Sequence, residues 1–340
     1  MAQVEVKNLS KDYRRKTASK SFLKDLFLPG YETVSAVDDI NFELEAGEAV
    51  GYIGPNGSGK STTIKMMTGI LHPTGGSLNV LGREPAKNRI RNNREIGVVF
   101  GQRSSLWWDV PVIESYRLLS VLYRIPKKKF EQNLEMLTEA IGLQDLLNIP
   151  ERQLSLGQKM RCNVAAAFLH DPQIVFLDEP TVGIDVSAKA DIRSLIRKIN
   201  EEKGTTFIIT SHDFQDIEAL CRRLIILNKG RIVIDTSAEE MRKKFGSKKS
   251  LKVTIHGEYQ GSLDFINSDS INNEGVEYLT SEGNTLQLGF DSNKCAAHEL
   301  IYQVANAVGI VDVSIQEPSI ESIIEEILKM DGKGIQGESQ

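Results

Sequence analysis

Residues 50–62 read Val-Gly-Tyr-Ile-Gly-Pro-Asn-Gly-Ser-Gly-Lys-Ser-Thr, and no other stretch says as much about the fold. The apolar run that ends at Ile53 predicts a buried strand, and a helix-compatible run follows from Thr62 to Met67. The glycines between them let several backbone N–H groups turn towards one phosphate oxyanion. The stretch therefore predicts a phosphate-binding loop between a strand and a helix.

Each residue type in this loop has a part in binding a nucleoside triphosphate. Lys60 supplies a positive charge to the β- and γ-phosphates, and the Ser61 hydroxyl reaches a magnesium ion. We expect nucleotide contacts along the whole loop and the first turn of the helix, at Gly54, Pro55, Asn56, Gly57, Ser58, Gly59, Lys60, Ser61 and Thr62.

Length and composition limit the remaining possibilities. At 340 residues the chain is too long for one compact core and predicts two domains. The net charge of −5 argues against a nucleic-acid partner. We find no apolar stretch long enough to cross a bilayer and no signal-peptide pattern at the amino terminus. Three scattered cysteines show no metal-binding spacing, so we expect a cytosolic chain with reduced thiols.

Apolar runs and helical patterns alternate along the first 245 residues, which predicts an α/β fold. The short runs at 97–100, 174–177, 207–210 and 224–227 are apolar almost throughout, as in strands buried on both faces of a mostly parallel sheet. Two strands with alternating patterns, at 4–9 and 40–44, come earlier, and a largely helical insertion spans about 102–170. Between the early strands, a basic run and apolar residues 22–28 at helical spacing predict an amphipathic element.

The end of the chain has a different pattern. We place a domain boundary near residue 245 and expect a small α+β domain over 246–330, with a final helix over 319–330. Residues 331–340 are polar and contain glycine, so we expect a disordered tail.

Two carboxylates end the strand at 174–178. Asp178 is placed to orient a magnesium-bound water, and Glu179, one residue later, is a candidate general base for an attacking water. This pair favours hydrolysis of the bound nucleotide.

Polar residues at three further element boundaries extend the site. Gln102 follows the strand at 97–100 and is a candidate bridge between magnesium and the attacking water. His212 follows the strand at 207–210 and is a candidate ligand of the γ-phosphate or the water. Leu154-Ser155-Leu156-Gly157-Gln158 precedes a helix that begins near Met160, and its N–H groups with the Ser155 hydroxyl predict a second anion site. A second anion site is unexpected in a chain that already has a phosphate loop, unless it contacts the nucleotide that another subunit binds.

This set of motifs resembles the nucleotide-binding subunits of ATP-binding-cassette (ABC) transporters over about residues 4–240. The matching segments, in the family's order, are Gly54–Ser61 (Walker A), Gln102 (Q-loop), Leu154–Gln158 (signature motif), Ile174–Glu179 (Walker B), Gly183–Asp185 (D-loop) and His212 (switch histidine). The resemblance implies a P-loop ATPase core with a mixed, mostly parallel sheet, an antiparallel β subdomain and a helical subdomain.

The resemblance also implies cofactors and partners. It implies ATP with Mg²⁺, bound between two cassettes in a head-to-tail dimer. Ser155, Gly157 and Gln158 of one cassette would reach the γ-phosphate held by the other, Asp185 would lie at the same nucleotide, and Tyr13 would stack on adenine. Separate transmembrane permeases would complete the transporter, so that this chain would be peripheral on the cytoplasmic side of the membrane.

Departures from the common motifs indicate which branch of the family the chain resembles. Leu156 stands where most members have glycine, and the D-loop reads Gly-Ile-Asp rather than Ala-Leu-Asp. Residues 100–109 together with the signature segment at 154–158 look like the ABC-2 branch of viologen- or daunorubicin-type multidrug exporters, and Trp107 and Trp108 are candidate permease contacts. A polysaccharide exporter, suggested by the insertion at 14–36, and an importer remain alternatives. A cassette ATPase acting on ribosomes or DNA would need a second cassette or a coiled coil and a basic surface, and a non-hydrolysing module would lack Glu179.

Overall fold

The computed structural model describes residues 2–17, 30–101, 103–211, 213–256 and 276–334. The chain divides into two compact units, Met1–Thr236 and Ser237–Gln340. The division falls before the helix Ala238–Phe245, whereas the boundary predicted from the sequence falls after it. This helix contacts the final helix of the chain and therefore belongs to the second unit.

A six-stranded sheet forms the centre of the first unit. Its strands are β3 (Ala49–Ile53), β5 (Ile96–Phe100), β6 (Ile174–Asp178), β7 (Thr206–Thr210), β8 (Arg223–Asn228) and β9 (Arg231–Ser237). They lie in the order β5-β6-β7-β3-β8-β9, and the pairs β5/β6, β6/β7, β7/β3 and β3/β8 are parallel. The central strands are buried almost throughout, which is why their sequences are nearly continuous apolar runs.

An antiparallel sheet completes the β structure of this unit. Its strands are β1 (Ala2–Thr17), β2 (Gly30–Glu45) and β4 (Gly75–Val80), in the order β2-β1-β4, and β4 was not predicted. Strands β1 and β2 are both longer than their alternating patterns, because pairing continues through charged residues as far as Thr17 opposite Gly30. The amphipathic element expected over 22–28 lies outside the described residues.

Helices of the first unit connect these strands. They are α1 (Lys60–Met67), α2 (Arg89–Asn93), α3 (Val112–Leu122), α4 (Lys127–Ile141), α5 (Leu156–Phe168), α6 (Val186–Lys203) and α7 (Phe214–Leu220). Helix α4 ends at Ile141 because Gly142 takes a left-handed conformation, with φ of 62°. Helix α5 begins before Met160 because Ser155 caps it.

The second unit is an antiparallel sheet with three helices in its described residues. Its strands are β10 (Lys248–Ile255), β11 (Val276–Glu282), β12 (Thr285–Asp291) and β13 (Ile310–Gln316), in the order β11-β12-β10-β13. The helices are α8 (Ala238–Phe245), α9 (Ala297–Ala307) and α10 (Ile320–Gly334). Helix α10 continues past Met330, so the first part of the tail that was expected to be disordered is helical; residues 335–340 lie outside the described chain. In the ranges described, no helix has the length and apolar character needed to span a bilayer.

Candidate nucleotide-binding site

The phosphate-binding loop connects the carboxyl end of β3 to the amino end of α1. Gly59 precedes the helix with φ of 106°, and a Cβ there would lie 2.5 Å from the carbonyl oxygen of Ala36. A Cβ on Gly54 would lie 2.3 Å from the carbonyl oxygen of Leu227. Only glycine fits at these two positions, because the loop passes directly against the backbones of neighbouring strands. Pro55, Asn56 and Gly57 form the exposed crest of the loop, and Ser58 is buried below it.

Lys60 is held inside this loop. Its Nζ donates to the carbonyl oxygens of Gly54, at 2.6 Å, and Pro55, at 3.1 Å, and the residue is only 8% exposed. Burial lowers the pKa of the Lys60 ammonium, and the carboxylates of Glu179 and Asp178 act in the opposite direction. Among the described side chains none caps the start of α1, so its first N–H groups remain available to an anion. A lysine and a helix start converge on one place, where a phosphate would be stabilised.

Asp178 joins the phosphate loop to the sheet. Its Oδ2 accepts a hydrogen bond from the Ser61 hydroxyl at 3.0 Å, and its Oδ1 accepts one from the Thr210 hydroxyl at 2.7 Å. Thr210 is the direct partner of Asp178 in the parallel pairing of β6 and β7. The carboxylate is therefore fixed from both sides.

These oxygens fit a magnesium ion. Magnesium prefers oxygen ligands and usually takes one or two from the protein, completing its shell with water and phosphate oxygens. The Ser61 hydroxyl and the Asp178 carboxylate supply such a pair. Across the chain as described, no group of three or more His, Cys, Asp or Glu is arranged to hold a metal.

Glu179 has an unusual backbone. Its φ is 57°, a left-handed conformation that is costly for a residue with a Cβ, and its N–H donates to the Thr210 carbonyl oxygen at 3.0 Å. Strained backbone of this kind persists where the surroundings over-determine it, and it is concentrated at functional sites. The chain turns sharply here, directly after Asp178, and the Glu179 carboxylate remains close enough to Lys60 to oppose the lowering of the Lys60 pKa that burial causes.

The signature segment is a preformed helix start. Ser155 caps α5 by accepting a hydrogen bond from the Gln158 N–H at 3.3 Å, and the Gln158 side chain accepts one from the Ser155 N–H at 2.9 Å. This reciprocal capping was missed in the sequence, although Ser-x-x-Gln is its pattern. Ser155 is exposed and Gly157 half-buried, so the helix start is open to a ligand, whereas the Gln158 side-chain oxygen is already used.

Asp185 plays the same capping role at the start of α6. Its Oδ1 accepts a hydrogen bond from the Ala188 N–H at 2.9 Å, and this bond is the main cause of the lowered pKa of the Asp185 carboxyl. Asp185 is therefore an ionised, exposed carboxylate at a helix start.

Two predicted site residues, Gln102 and His212, lie outside the described residues, so their roles stay predictions. Neighbours of both are described. The Gly101 N–H donates to the Asp178 carbonyl oxygen at 2.7 Å, which attaches the segment before Gln102 to β6. Ser211, which is buried, accepts a hydrogen bond from the Asp213 N–H at 2.9 Å.

Tyr13 lies on the strand pair that borders the phosphate loop. It is 40% exposed, and the Lys11 Nζ lies 5.5 Å from its ring centroid. Tyr13 pairs with Val34, two residues, or about 7 Å, along β2 from Ala36, whose carbonyl oxygen faces Gly59. The ring is thus available to a planar group near the loop.

A buried network that sequence reasoning missed ties the segment after Glu179 to the segment before His212. The Asp216 carboxylate is 1% exposed and accepts hydrogen bonds from Thr181, from Ser211 at 3.4 Å and from Arg193 at 2.7 Å. Nothing in the spacing of these four residues indicates that they meet.

Sequence reasoning also missed the role of Thr210, whose hydroxyl donates to Asp178. This role could have been predicted, because Thr210 is a hydroxyl residue at the end of the strand that precedes His212.

Comparison with known proteins identifies the family. The profile of a family described as "ABC transporter" matches residues 37–182. A methionine import ATP-binding protein of Latilactobacillus sakei is 30% identical over 86% of this chain and 85% of its own length. The chain belongs to the ABC transporter ATP-binding proteins.

Other ABC proteins cover different shares of the chain. A linearmycin resistance ATP-binding protein of Bacillus subtilis is 28% identical over 86% of this chain and 93% of its own length. An ABC transporter A family member of Dictyostelium discoideum is 32% identical over 80% of this chain, which spans only 30% of that relative. Among solved structures, the dimeric, post-hydrolysis state of an ATP-binding cassette bound to ADP and phosphate covers 69% of this chain and 98% of its own, with 27% identity and a TM-score of 0.59. The first unit is therefore an ABC ATPase domain, as the resemblance of its motifs implied.

Proposed function

We propose that this chain is the ATP-hydrolysing subunit of an ABC exporter whose membrane-spanning permeases are separate chains. One observation carries the proposal: Lys60, Ser61, Asp178 and Glu179, from two distant segments, converge at the carboxyl ends of β3 and β6. A positive charge, two oxygen ligands and a second carboxylate are the groups needed to bind Mg-ATP and to activate water.

In this proposal, different residues of the chain carry out different parts of the reaction. The backbone N–H groups of 54–62, which Pro55 lacks, and the Lys60 ammonium bind the β- and γ-phosphates, and Ser61 and Asp178 would hold Mg²⁺, which supplies charge neutralisation at the phosphates. Glu179 accepts the proton of the attacking water. In our proposal Gln102 and His212 orient that water and the γ-phosphate.

The exposed signature segment supports a head-to-tail dimer. In such a dimer Ser155 and Gly157 of one chain contact the γ-phosphate bound by the other, the ionised Asp185 lies at the same interface, and Tyr13 stacks on adenine. The first turn of α5 contains no acidic residue, so this helix start is suited to binding a phosphate of the partner's nucleotide. The similar cassette solved with ADP and phosphate is dimeric, which is consistent with it.

Exposed apolar side chains support the permease partner. They lie in the sequence between β5 and the end of α3, and they are Trp107, Trp108, Val110, Leu118, Val121 and Leu122. Aromatic side chains are preferred anchors at protein interfaces. A chain held there by permeases would be peripheral on the cytoplasmic face of the membrane, and its net charge of −5 does not suit nucleic acid.

Export is favoured over import by residues 100–109 and the signature segment at 154–158, which look like those of multidrug exporters, and by similarity to the linearmycin resistance protein. Similarity to the methionine import protein makes an importer the second candidate. Inside-out membrane vesicles with the chain and its permeases test the direction. An exporter accumulates an amphipathic dye when ATP is added outside, and Glu179→Gln vesicles do not. ATP-dependent loss of preloaded solute from such vesicles would support the importer instead.

A further inference from the structure

Leu156 and Gly183, two of the three residues that depart from the common motifs, are in contact. A Cβ on Gly183 would lie 2.3 Å from Cδ2 and 3.2 Å from Cγ of Leu156. The leucine side chain therefore occupies the place that an alanine methyl group would need at Gly183. Gly183 also has a left-handed backbone, with φ of 75°.

In a second contact beside the first, the glycine lies in the signature segment and the large side chain lies in the D-loop. A Cβ on Gly157 would lie 3.2 Å from Cγ2 of Ile184, which is buried. Each segment thus places one large side chain over a glycine of the other: Leu156 over Gly183, and Ile184 over Gly157. Interlocking of this kind fixes two segments at close range, because neither can slide without a clash.

The interlocked residues adjoin the functional ones. Leu156 follows Ser155, the cap of α5, and Ile184 precedes Asp185, the cap of α6. The D-loop also begins close to Glu179, whose carbonyl oxygen accepts a hydrogen bond from the Val182 N–H at 3.5 Å. Two helix starts and the segment after the general base are joined within one chain.

We propose that Leu156 is a positioning residue that locks the signature helix to the D-loop of its own chain, so that occupancy of the signature site adjusts Glu179. This inference rests on the proposed dimer, in which Ser155 contacts nucleotide bound by the partner. The lock connects the two ATP sites: a chain whose signature segment meets nucleotide moves its own D-loop and, through it, its own base. The Leu156 side chain, as it lies in the structure, fills the space that a methyl group at position 183 would need, so the two departures form one feature.

A double-mutant cycle tests the lock. Leu156→Ala should lower kcat about three- to tenfold while ATP affinity and the unfolding midpoint stay near those of the wild type, and Leu156→Met, which keeps the volume, should restore kcat. Gly183→Ala should lower kcat at least about tenfold. The double variant should recover to about the level of Leu156→Ala, because the leucine is no longer in the way.

Gly82→Ala is the matched control. Gly82 has φ of 74°, and a Cβ there would meet nothing within 4 Å, so this change introduces the same backbone strain without a clash. It should lower the unfolding midpoint as Gly183→Ala does and leave kcat unchanged. Equal kcat in Gly82→Ala and Gly183→Ala, or a double variant no faster than Gly183→Ala, would overturn the lock.

ATP hydrolysis by the wild-type chain tests the proposed function separately from the lock. A wild-type chain that hydrolyses no ATP overturns the function itself. A wild type that hydrolyses ATP, with a cycle that shows no coupling, overturns only the lock.

Discussion

The Ser61 hydroxyl donates a hydrogen bond of 3.0 Å to the Asp178 carboxylate, joining the start of α1 to the end of β6 across 117 residues of sequence. Ser61 and Asp178 are the two residues that would hold a magnesium ion here. Because magnesium dehydrates reluctantly and keeps few protein ligands, loss of one protein ligand should weaken magnesium binding.

Ser61→Ala should raise the Mg²⁺ concentration needed for half-maximal ATP hydrolysis by about 10–100-fold. Ser61→Thr keeps the hydroxyl and should stay close to the wild type. Hydrolysis rates at fixed ATP and increasing Mg²⁺ measure this. Identical Mg²⁺ dependence in the alanine and threonine variants would show that the hydroxyl does not bind the ion.

Glu179→Gln keeps the shape of the side chain but removes its ability to accept a proton. It should bind ATP with near-normal affinity and hydrolyse it at least a hundredfold more slowly, since general-base loss costs about 10²–10⁴ in rate. It should also elute as a dimer in Mg-ATP on size exclusion. The control is Lys60→Ala, which should fail to bind nucleotide. Turnover within about threefold of wild type would rule out Glu179 as the base.

Tyr13→Ala should weaken ATP binding by about 1–3 kcal/mol, at least about fivefold in affinity, because base–aromatic stacking is lost. Tyr13→Phe retains the ring and should bind like the wild type. Equilibrium titration with a fluorescent ATP analogue compares them. If the alanine variant binds as tightly as the phenylalanine variant, adenine lies elsewhere.

Trp108→Ala should weaken association with the permeases and leave ATP affinity intact. Trp108 is 60% exposed, the Lys159 Nζ lies 5.0 Å from its ring centroid, and its carbonyl oxygen accepts a hydrogen bond from the Arg152 N–H, so the ring is presented from a fixed backbone. Anchors of this type contribute about 2 kcal/mol or more. Retention on immobilised permease complex is the measurement, with Trp108→Phe as the conservative control. Unchanged retention in both Trp107→Ala and Trp108→Ala would remove this surface from the interface.

His170 should make stability depend on pH. Burial lowers its pKa to about 4, its Nε2 donates to the Ile96 carbonyl oxygen at 2.9 Å, and its ring stacks on Tyr123 with centroids 4.0 Å apart. Asp171 and Lys129 also face it, with opposing effects on that pKa. Between the folded pKa and the ordinary value of 6.5, the unfolded chain binds more protons, so stability falls as pH is lowered through this window.

From pH 7 to pH 5 the free energy of unfolding should decrease by about 2 kcal/mol because of His170. His170→Gln should lose most of this dependence, although it also loses the ring stack and is less stable at pH 7. His72→Gln, at an exposed position, is the matched control and should keep the wild-type pH dependence. Urea unfolding at the two pH values measures this, and parallel curves for His170→Gln and His72→Gln would contradict the assignment.

The α/β class, the phosphate loop and the order of the site motifs could all be predicted from the amino-acid sequence, because these features depend on local rules. Glycines at fixed offsets permit the loop, apolar runs mark strands buried on both faces, and polar residues at strand ends mark the edge where a parallel sheet brings them together. For this reason Lys60, Ser61, Asp178 and Glu179 could be assigned to one site before their distances were known.

Features that depend on which segments meet came from the three-dimensional fold alone. Strand β4, the length of the β1–β2 pair, the Asp216 network and the contact of Leu156 with Gly183 all join residues far apart in sequence, with no local pattern that predicts the pairing. The contact also changes the meaning of a local observation. Leucine at 156 and glycine at 183 are two unrelated departures in the sequence, and close packing makes them one feature, because the side chain of one fills the space that the other leaves.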